Sequence, residues 1–319
     1  MKIDKTTEEL RRVIHSTLTP IINNDVILLD CPYHINIGDT LIWQGELDYL
    51  DSIHRNPIAQ HSHDTFNFYP LSAHTVICLH GGGNFGDLYR EAQEFRKQVI
   101  RKYPNNRIVL FPQSVWYEDK SLIEEDSKLF SKHTNLFLCA RDNDSYEFMK
   151  QHFPLNTVLL VPDMAFYING EHLKGDCINK NGLSTVYIKR LDKELDKETY
   201  MDISDKEIRD WPSFERFPLS FRIIDQFLKI LRTWPFSIGF VGGVIDKIMN
   251  SYIRKKQVRK GVRFLNQYNS IITTRLHAMI LGLLLNKKVV GIDNITHKIS
   301  AYYRTWLTND KRVEIVEDI

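Results

Sequence analysis

The chain has 319 residues, 43% of them hydrophobic and 26% charged, and its formal net charge is +2 at pH 7; this composition is typical of a soluble globular protein large enough for two domains. The nearly balanced charge gives no support for binding nucleic acid through bulk electrostatics. No run approaches the roughly 18 apolar residues of a membrane-spanning helix, and the N-terminus lacks an export signal, so we expect a cytoplasmic protein.

The N-terminal half alternates apolar runs with segments of helical periodicity. The apolar runs read VILLDC, TVICLH, RIVLFPQ, LFLCAR and VLLVPD, and amphipathic segments stand between them. Alternation of this kind produces parallel strands connected by helices. Residues 1–168 are therefore predicted to form a Rossmann-like α/β domain with a doubly wound sheet.

The alternation stops in the polar segment 169–183, which is predicted to link two domains. It resumes in residues 184–319, with strands predicted at 184–190, 236–243, 270–274 and 287–293. The highly charged stretch 191–217 fits no core and is predicted to be a surface insertion. We expect two Rossmann-like domains that face each other across a cleft, which is the glycosyltransferase-B-like architecture.

The segment NIGDT follows the first predicted strand. Asn36 and Gly38 supply the turn, and Asp39 is placed either to cap the next helix or to face the cleft. In the cleft its carboxylate would bind or deprotonate a sugar hydroxyl. Asp39 is therefore a candidate acid or base, and Asn36 and Gly38 are candidate acceptor-side residues.

The segment HGGGNFGD follows a second predicted strand. Gly82 and Gly83 let the backbone approach a ligand closely, and the helix that comes next would add a partial positive charge. We expect Asn84 to hydrogen-bond the ligand, with Asp87 in the same acceptor-side loop. The alternative is a tight turn in which Asp87 is the helix N-cap. The segment matches neither dinucleotide-binding nor Walker motifs, so no nucleotide is specified.

Three cations and one imidazole follow predicted strands. Arg141 ends LFLCAR, Arg275 and His277 follow SIITT, and Lys298 follows KKVVGID. The carboxyl ends of the strands in an open α/β sheet are where ligands bind, and such a set suits a small, multiply charged anion. For Arg141 the alternative is a structural ion pair with Asp142 or Asp163.

Five sequence blocks stand in one order along residues 30–307. They are NIGDTLIWQGE, HGGGNFGDLY, ARDNDSYEFM, VPDMAFYI and a C-terminal signature made of Arg275-Leu276-His277, Asp293-Asn294, Lys298 and Thr305-Trp306. In these blocks the chain resembles the polysaccharide pyruvyl transferase family. It departs from the family pattern where Thr274 replaces an acidic residue before the arginine and where Thr296-His297 replace Tyr-Gly before the lysine.

The resemblance implies an enzyme that moves the pyruvyl group of phosphoenolpyruvate onto two hydroxyls of a sugar. The product is a cyclic pyruvate ketal on a polysaccharide or lipid-linked oligosaccharide precursor, and phosphate is released. Galactose is the acceptor sugar that the resemblance favours, with mannose or glucose as alternatives. Phosphoenolpyruvate is then a substrate, and no cofactor and no metal ion are expected.

The charges of this donor and the chemistry of the candidate side chains then suggest a role for each residue. Four are expected to bind the donor: Arg141, Arg275, Lys298 and Asn294. Arg141 would hold the donor carboxylate, while Arg275 and Lys298 would stabilise the leaving phosphate. His277 is the leading acid or base because histidine titrates near neutrality, and Asp39 is the second candidate.

Two other functions stay open at this point. One is a nucleotide-sugar-dependent glycosyltransferase of the same architecture, and the other is a non-catalytic scaffold for polysaccharide assembly. A nucleotide sugar needs a base-and-ribose pocket, for which the sequence shows no signature. A scaffold has no need of Arg275, His277 and Lys298 together.

Two further features have alternative interpretations. The basic run IRKKQVRKGVR at 253–263 is either a solvated surface or a contact with an anionic membrane leaflet or with the pyrophosphate of a lipid-linked acceptor. Trp43 lies near the NIGDT segment and either packs in the core or stacks on a sugar.

Overall fold

The computed structural model describes residues 4–174, 183–190, 207–216, 219–233, 238–293 and 295–316. Asn294 and most of the predicted linker and insertion, residues 175–182 and 191–206, lie outside the described residues. The predicted α/β class is confirmed, because the chain forms two sheets of parallel strands connected by helices. The placement of two domains across a cleft and their boundaries stay predictions.

The first sheet is built from the N-terminal half. Its strands are β1 (Val26–Leu29), β2 (Ala59–Gln60), β3 (Val76–Leu79), β4 (Gly82–Gly86), β5 (Ile108–Trp116), β6 (Leu136–Ala140) and β7 (Thr157–Leu160). The helices of this half are α1 (Lys5–Leu18), α2 (Ile37–Ser52), α3 (Arg90–Lys102), α4 (Ser121–Phe130) and α5 (Asn143–His152). The strand order is β2-β1-β3-β5-β6-β7, with β4 paired to β5. All of these pairs are parallel, so the carboxyl ends of β5, β6 and β7 meet at one edge.

The second sheet has the order β12-β11-β10-β8-β9, also with parallel pairs. Its strands are β8 (Leu183–Ile188), β9 (Glu207–Arg209), β10 (Tyr268–Thr273), β11 (Lys288–Ile292) and β12 (Val313–Val316). The helices of this half are α6 (Pro212–Glu215), α7 (Leu219–Thr233), α8 (Gly243–Ile248), α9 (Arg254–Leu265), α10 (Leu276–Leu284) and α11 (Lys298–Trp306). Because β10 and β11 are parallel neighbours, helices α10 and α11, which carry His277 and Lys298, both begin at the same edge of this sheet.

Apolar strands covered by helices account for the parallel sheets. Every residue of β1 and β3 is buried, as expected for strands that are covered on both faces. The largest cluster of buried side chains includes residues of both sheets, among them Leu28 of β1 and Val186 of β8. The two halves therefore share a continuous apolar core.

Helix α2 packs against elements of both halves. It contacts the 3-10 helix Met164–Tyr167 from the first half, and α9 and α10 from the second. Trp43 in this helix is 0% exposed, and its indole Nε1 donates to Gln60 Oε1 at 3.2 Å. Trp43 is thus a core residue, and the sugar-stacking alternative is wrong.

Three predicted elements differ from the structure. Residues 238–242 of the predicted strand 236–243 form a π-helical turn that leads into α8. Glycine is a poor strand former, and residues 236–243 contain three glycines. The glycine-rich segment predicted as a loop contains strand β4. Residues 207–216 of the predicted surface insertion supply the edge strand β9 and helix α6, and Trp211 among them is buried.

Gly45 lies where α2 meets the backbone of the 3-10 helix. A Cβ at this position would lie 1.9 Å from the carbonyl oxygen of Met164. We expect Gly45→Ala to lower the free energy of unfolding by at least about 1–3 kcal/mol, the usual cost of overpacking, as measured by urea denaturation. In the control Gly243→Ala the new Cβ meets nothing within 4 Å, so its midpoint should not fall. Equal midpoints for both variants would contradict this close approach.

Candidate active site

Arg141 and Asp163 form a buried ion pair at the edge of the first sheet. Arg141 directly follows β6 and Asp163 comes shortly after β7, and these strands are neighbours. Arg141 Nη1 donates to Asp163 Oδ2 at 2.9 Å, and Arg141 Nε donates to Ser114 Oγ at 2.8 Å. Arg141 is 1% exposed and Asp163 is 0% exposed. Arg141 is therefore in an ion pair with Asp163, as one of the two alternatives predicted, and its role in binding a ligand stays a prediction.

His277 reaches the same carboxylate from the second half of the chain. It lies in the first turn of α10, and its Nε2 is 3.2 Å from Asp163 Oδ2. Burial alone would raise the pKa of Asp163, but His277 and Arg141 hold that pKa well below its ordinary value. Asp163 is thus a carboxylate ion that an arginine and a histidine share.

Aromatic and hydroxyl side chains of helix α11 form hydrogen bonds with the backbone at Arg141, Asn143 and Asp163. The backbone N–H of Asp163 donates to Tyr302 Oη at 3.1 Å, and Trp306 Nε1 donates to the carbonyl oxygen of Arg141 at 2.7 Å. Thr305 Oγ1 accepts the backbone N–H of Asn143 at 3.0 Å. The Thr305-Trp306 pair of the signature therefore docks α11, whose first residue is Lys298, onto the end of β6.

Gly38 makes room for the imidazole of His277. A Cβ on Gly38 would lie 2.8 Å from His277 Nδ1. The backbone N–H of Gly38 donates to Asn36 Oδ1 at 2.9 Å, so Asn36 is the N-cap of α2. Asp39 Oδ2 accepts from Asn36 Nδ2 at 2.9 Å and lies 3.4 Å from His34 Nε2. Asp39 therefore does not cap the helix, and its half-buried carboxylate stays available as a candidate acid or base.

Gly83 brings two cationic side chains together. A Cβ on Gly83 would lie 2.9 Å from Arg141 Nη2 and 3.0 Å from Lys298 Nζ, so the two nitrogens are at most about 6 Å apart. Lys298 Nζ donates to the carbonyl oxygen of Gly83 at 3.3 Å. Lys298 is held at the start of α11, where Asp293 Oδ1 accepts the backbone N–H of Ile299 at 3.1 Å. Two cations this close repel each other, and an anion between them would relieve the repulsion.

Arg275 has a carboxylate partner that the sequence did not indicate. Its Nε and Nη2 donate to the two carboxylate oxygens of Asp210 at 2.5 and 2.7 Å, and its guanidinium carbon lies 4.8 Å from the centre of the Phe214 ring. Arg275 and Asp210 are both buried. The predicted role of Arg275 in binding the donor remains untested, and a ligand would compete with Asp210 for this guanidinium.

The polar residues of the glycine-rich segment have structural partners. Asn84 Oδ1 accepts from Arg96 Nη2 at 2.6 Å. The Asp87 carboxylate accepts the backbone N–H groups of Glu118 and Asp119 at 2.9 and 2.7 Å. The N-cap of helix α3 is Tyr89 and no side chain caps it, so the alternative in which Asp87 is the N-cap is wrong. Gly82 and Gly83 are the first residues of strand β4, and the rest of this strand and residues 87–89 separate them from α3, so the expected helix N-terminus does not lie beside them in the sequence.

The structure therefore unites some of the predicted residues and leaves others apart. Contacts run from Lys298 through Gly83, Arg141, Asp163 and His277 to Gly38. The sequence predicts Asp163 only as an ion-pair partner of Arg141, although its position after a strand in VPDMAFYI also indicates a site residue. Asp210 gave no signal, because it lies in a run of mixed charges.

Among the described residues no group of three or more His, Cys, Asp or Glu is placed to hold a metal ion, and independence of metal stays a prediction.

Known proteins match this chain over most of its length. The family model described as polysaccharide pyruvyl transferase matches residues 36–296. EpsO of Bacillus subtilis is 30% identical over 301 residues, which cover 92% of this chain and 89% of EpsO. Pyruvyl transferase 1 of Schizosaccharomyces pombe is 30% identical over 298 residues, which cover 88% of this chain and 69% of that protein. The crystal structure of an uncharacterized Klebsiella pneumoniae protein superposes with a TM-score of 0.64 over 97% of this chain and 99% of that one; at 18% identity it shows the fold alone.

Gly83→Ala tests whether the glycine backbone sets the positions of the two cations. The new Cβ would displace the flexible ends of Arg141 and Lys298. If phosphoenolpyruvate is the ligand, as the resemblance implies, we expect its binding to weaken by about 10-fold or more, the cost of a charge-assisted hydrogen bond. Isothermal titration calorimetry measures this change. The control Gly170→Ala adds a Cβ that meets nothing within 4 Å and should bind like the wild type. Unchanged affinity in Gly83→Ala would show that the two cations do not form the anion site.

Proposed function

Because the chain belongs to the polysaccharide pyruvyl transferase family, we propose that it transfers the pyruvyl group of phosphoenolpyruvate onto two hydroxyls of a sugar and releases phosphate. The observation that carries this proposal is the convergence of Arg141 and Lys298 on Gly83, beside the Asp163–His277 pair. Family membership favours pyruvyl transfer over the nucleotide-sugar alternative and over a non-catalytic scaffold.

The two cations suit the donor. Phosphoenolpyruvate carries a carboxylate and a phosphate, and each needs charge-assisted hydrogen bonds when it leaves water. Arg141 is held by Ser114 and Asp163 through its Nε and Nη1, and its Nη2 points towards Gly83. We assign Arg141 to the donor carboxylate and Lys298 to the phosphate. Arg275 would bind the phosphate only if its guanidinium released Asp210.

His277 is suited to acid–base chemistry by the way its ring is oriented. With Nε2–H donating to Asp163, Nδ1 faces Gly38 and the acceptor-side loop. In that tautomer Nδ1 accepts a proton when the ring is neutral and donates one when it is protonated. Asp163 would then be a positioning residue, and Asp39 on the same loop is the second candidate acid or base.

The proposed reaction has three steps. An acid protonates the methylene carbon of phosphoenolpyruvate, which becomes a methyl group and leaves oxocarbenium character at C2. A sugar hydroxyl attacks C2, and its proton restores the acid. A neighbouring hydroxyl then displaces phosphate from C2 and closes the cyclic ketal, and its proton leaves with the phosphate. Lys298 would stabilise the charge that develops on the leaving phosphate.

The reaction itself is tested with phosphoenolpyruvate and a panel of glycosides and lipid-linked saccharides that includes galactosides. Phosphate release should accompany a product whose mass equals that of the acceptor plus pyruvic acid less one water. Stabilisation of the protein by nucleotide sugars in thermal shift, with no effect of phosphoenolpyruvate and no ketal product, would refute the proposal.

His277→Ala should lower turnover by at least about 100-fold, the scale for loss of a positioned acid or base. Phosphate release from phosphoenolpyruvate in the presence of an acceptor is the measurement. His74→Ala is the matched control, because that histidine is exposed and lies in the loop before β3. Turnover within a few-fold of wild type in His277→Ala would remove His277 from the chemistry.

A further inference from the structure

Residues 238–265 form consecutive helical segments with one continuous exposed face. The π-helical turns Ile238–Gly242 and Met249–Ile253 alternate with α8 and α9. A π-turn winds more slowly than an α-turn, so the mixture keeps every fourth residue on the same side. The exposed positions accordingly recur in pairs four residues apart from Gly239 to Lys256, and then singly at Arg259 and Arg263.

The exposed face changes chemistry along its length. Its first part is the apolar ridge: Phe240, Val244, Ile248 and Tyr252, which are 84%, 46%, 42% and 59% exposed. Its second part is the cationic ridge: Lys255, Lys256, Arg259, Lys260 and Arg263. Helix α7 packs beside the first π-turn and carries two more exposed apolar residues, Ile223 and Phe227. Single exposed apolar residues are ordinary, but an aligned row beside cations is not.

The opposite face of these helices is fixed in the body of the protein. Ile245, Met249 and Val258 are buried in the main core. Asp246 accepts hydrogen bonds from Tyr33 at 2.8 Å and Thr65 at 2.6 Å, both from the first half of the chain. The ridge residues are therefore held rigidly at the surface, and the core does not need their side chains.

The cationic ridge lines a groove of about 640 Å³ together with Arg209 and Pro212. Arg209 is paired with Glu207 and Glu215 at 2.7 and 2.6 Å, so positive charge from α9 remains in excess there. Lys260 Nζ donates to the carbonyl oxygen of Pro212 at 3.0 Å. Burial lowers the pKa of Lys260 by penalising its charge, and a bound anion would offset that penalty.

We propose that this face binds an anionic lipid membrane. The apolar ridge would enter the boundary between headgroups and acyl chains, and the cationic ridge would bind lipid phosphates. Interfacial helices typically combine an apolar and a cationic face in this way. No helix in the described part of the chain is both long and apolar enough to span a bilayer, so contact would be peripheral. A soluble phosphate or a nucleic acid would use the cations but would leave the apolar ridge without a partner. The proposal does not depend on the enzymatic reaction.

The cationic ridge is tested by flotation with vesicles of phosphatidylcholine alone and of phosphatidylcholine mixed with phosphatidylglycerol. The wild type should bind the mixed vesicles far better than the neutral ones, and less well as salt is raised. The triple variant Lys255→Gln/Lys256→Gln/Arg259→Gln should bind the mixed vesicles about 100-fold more weakly, given the usual contribution of each cation near an anionic surface. The control Arg101→Gln/Lys102→Gln/Lys128→Gln removes three exposed cations from α3 and α4 and should bind like the wild type.

The apolar ridge separates a membrane from a soluble phosphate ligand. Phe240→Ser/Ile248→Ser should weaken binding to the mixed vesicles by about 10-fold or more, because buried apolar area is lost, while Leu155→Ser, which changes another exposed apolar residue, should have no effect. Failure of the wild type to bind the mixed vesicles would overturn the proposal. So would wild-type vesicle binding by Phe240→Ser/Ile248→Ser combined with displacement of the protein by inorganic pyrophosphate, which would show a phosphate site instead.

Discussion

The buried carboxylate of Asp163 is the contact on which the candidate site depends. Removing a carboxylate from water costs several kcal/mol unless opposite charges and hydrogen bonds replace the solvent. Here the replacements come from both halves of the chain, Arg141 from the end of β6 and His277 from the start of α10. The hydrogen bonds that stabilise the buried charge of Asp163 therefore also fix the orientation of the Arg141 guanidinium and the tautomer of His277. Helix α11 adds Tyr302 to this group and so carries Lys298 towards Gly83.

Glycines give this arrangement the space it needs. Gly38 lies against the imidazole of His277, and Gly83 lies against Arg141 and Lys298. In both cases a side chain would occupy the position that the catalytic candidate now holds. The glycines of the NIGD and HGGGN segments therefore act through close approach of the backbone. A helix N-terminus contributes less than the sequence suggested, because strand β4 intervenes before α3.

The sequence predicted the strand–helix alternation well, since long apolar runs with regular helical segments between them admit few other folds. It also predicted correctly that Arg141, His277 and Lys298 come shortly after strands. It failed for residues 238–242, where an apolar, glycine-containing segment folds as a π-turn, and for 207–216, where mixed charges concealed a buried strand-and-helix unit. Asp163 is predicted as a partner of Arg141 but not of His277, and Asp210 is not predicted at all, because an ion pair between distant parts of the chain leaves no local pattern.

We infer that Asp163 and His277 act as a unit. A double-mutant cycle on kcat/KM measures this coupling with Asp163→Asn, His277→Gln and the double variant, each first shown to be folded by circular dichroism. If Asp163 works through His277, the second substitution should cost at least about 10-fold less once the first has been made. Effects that simply multiply would contradict the claim, because they would show that the two side chains contribute independently.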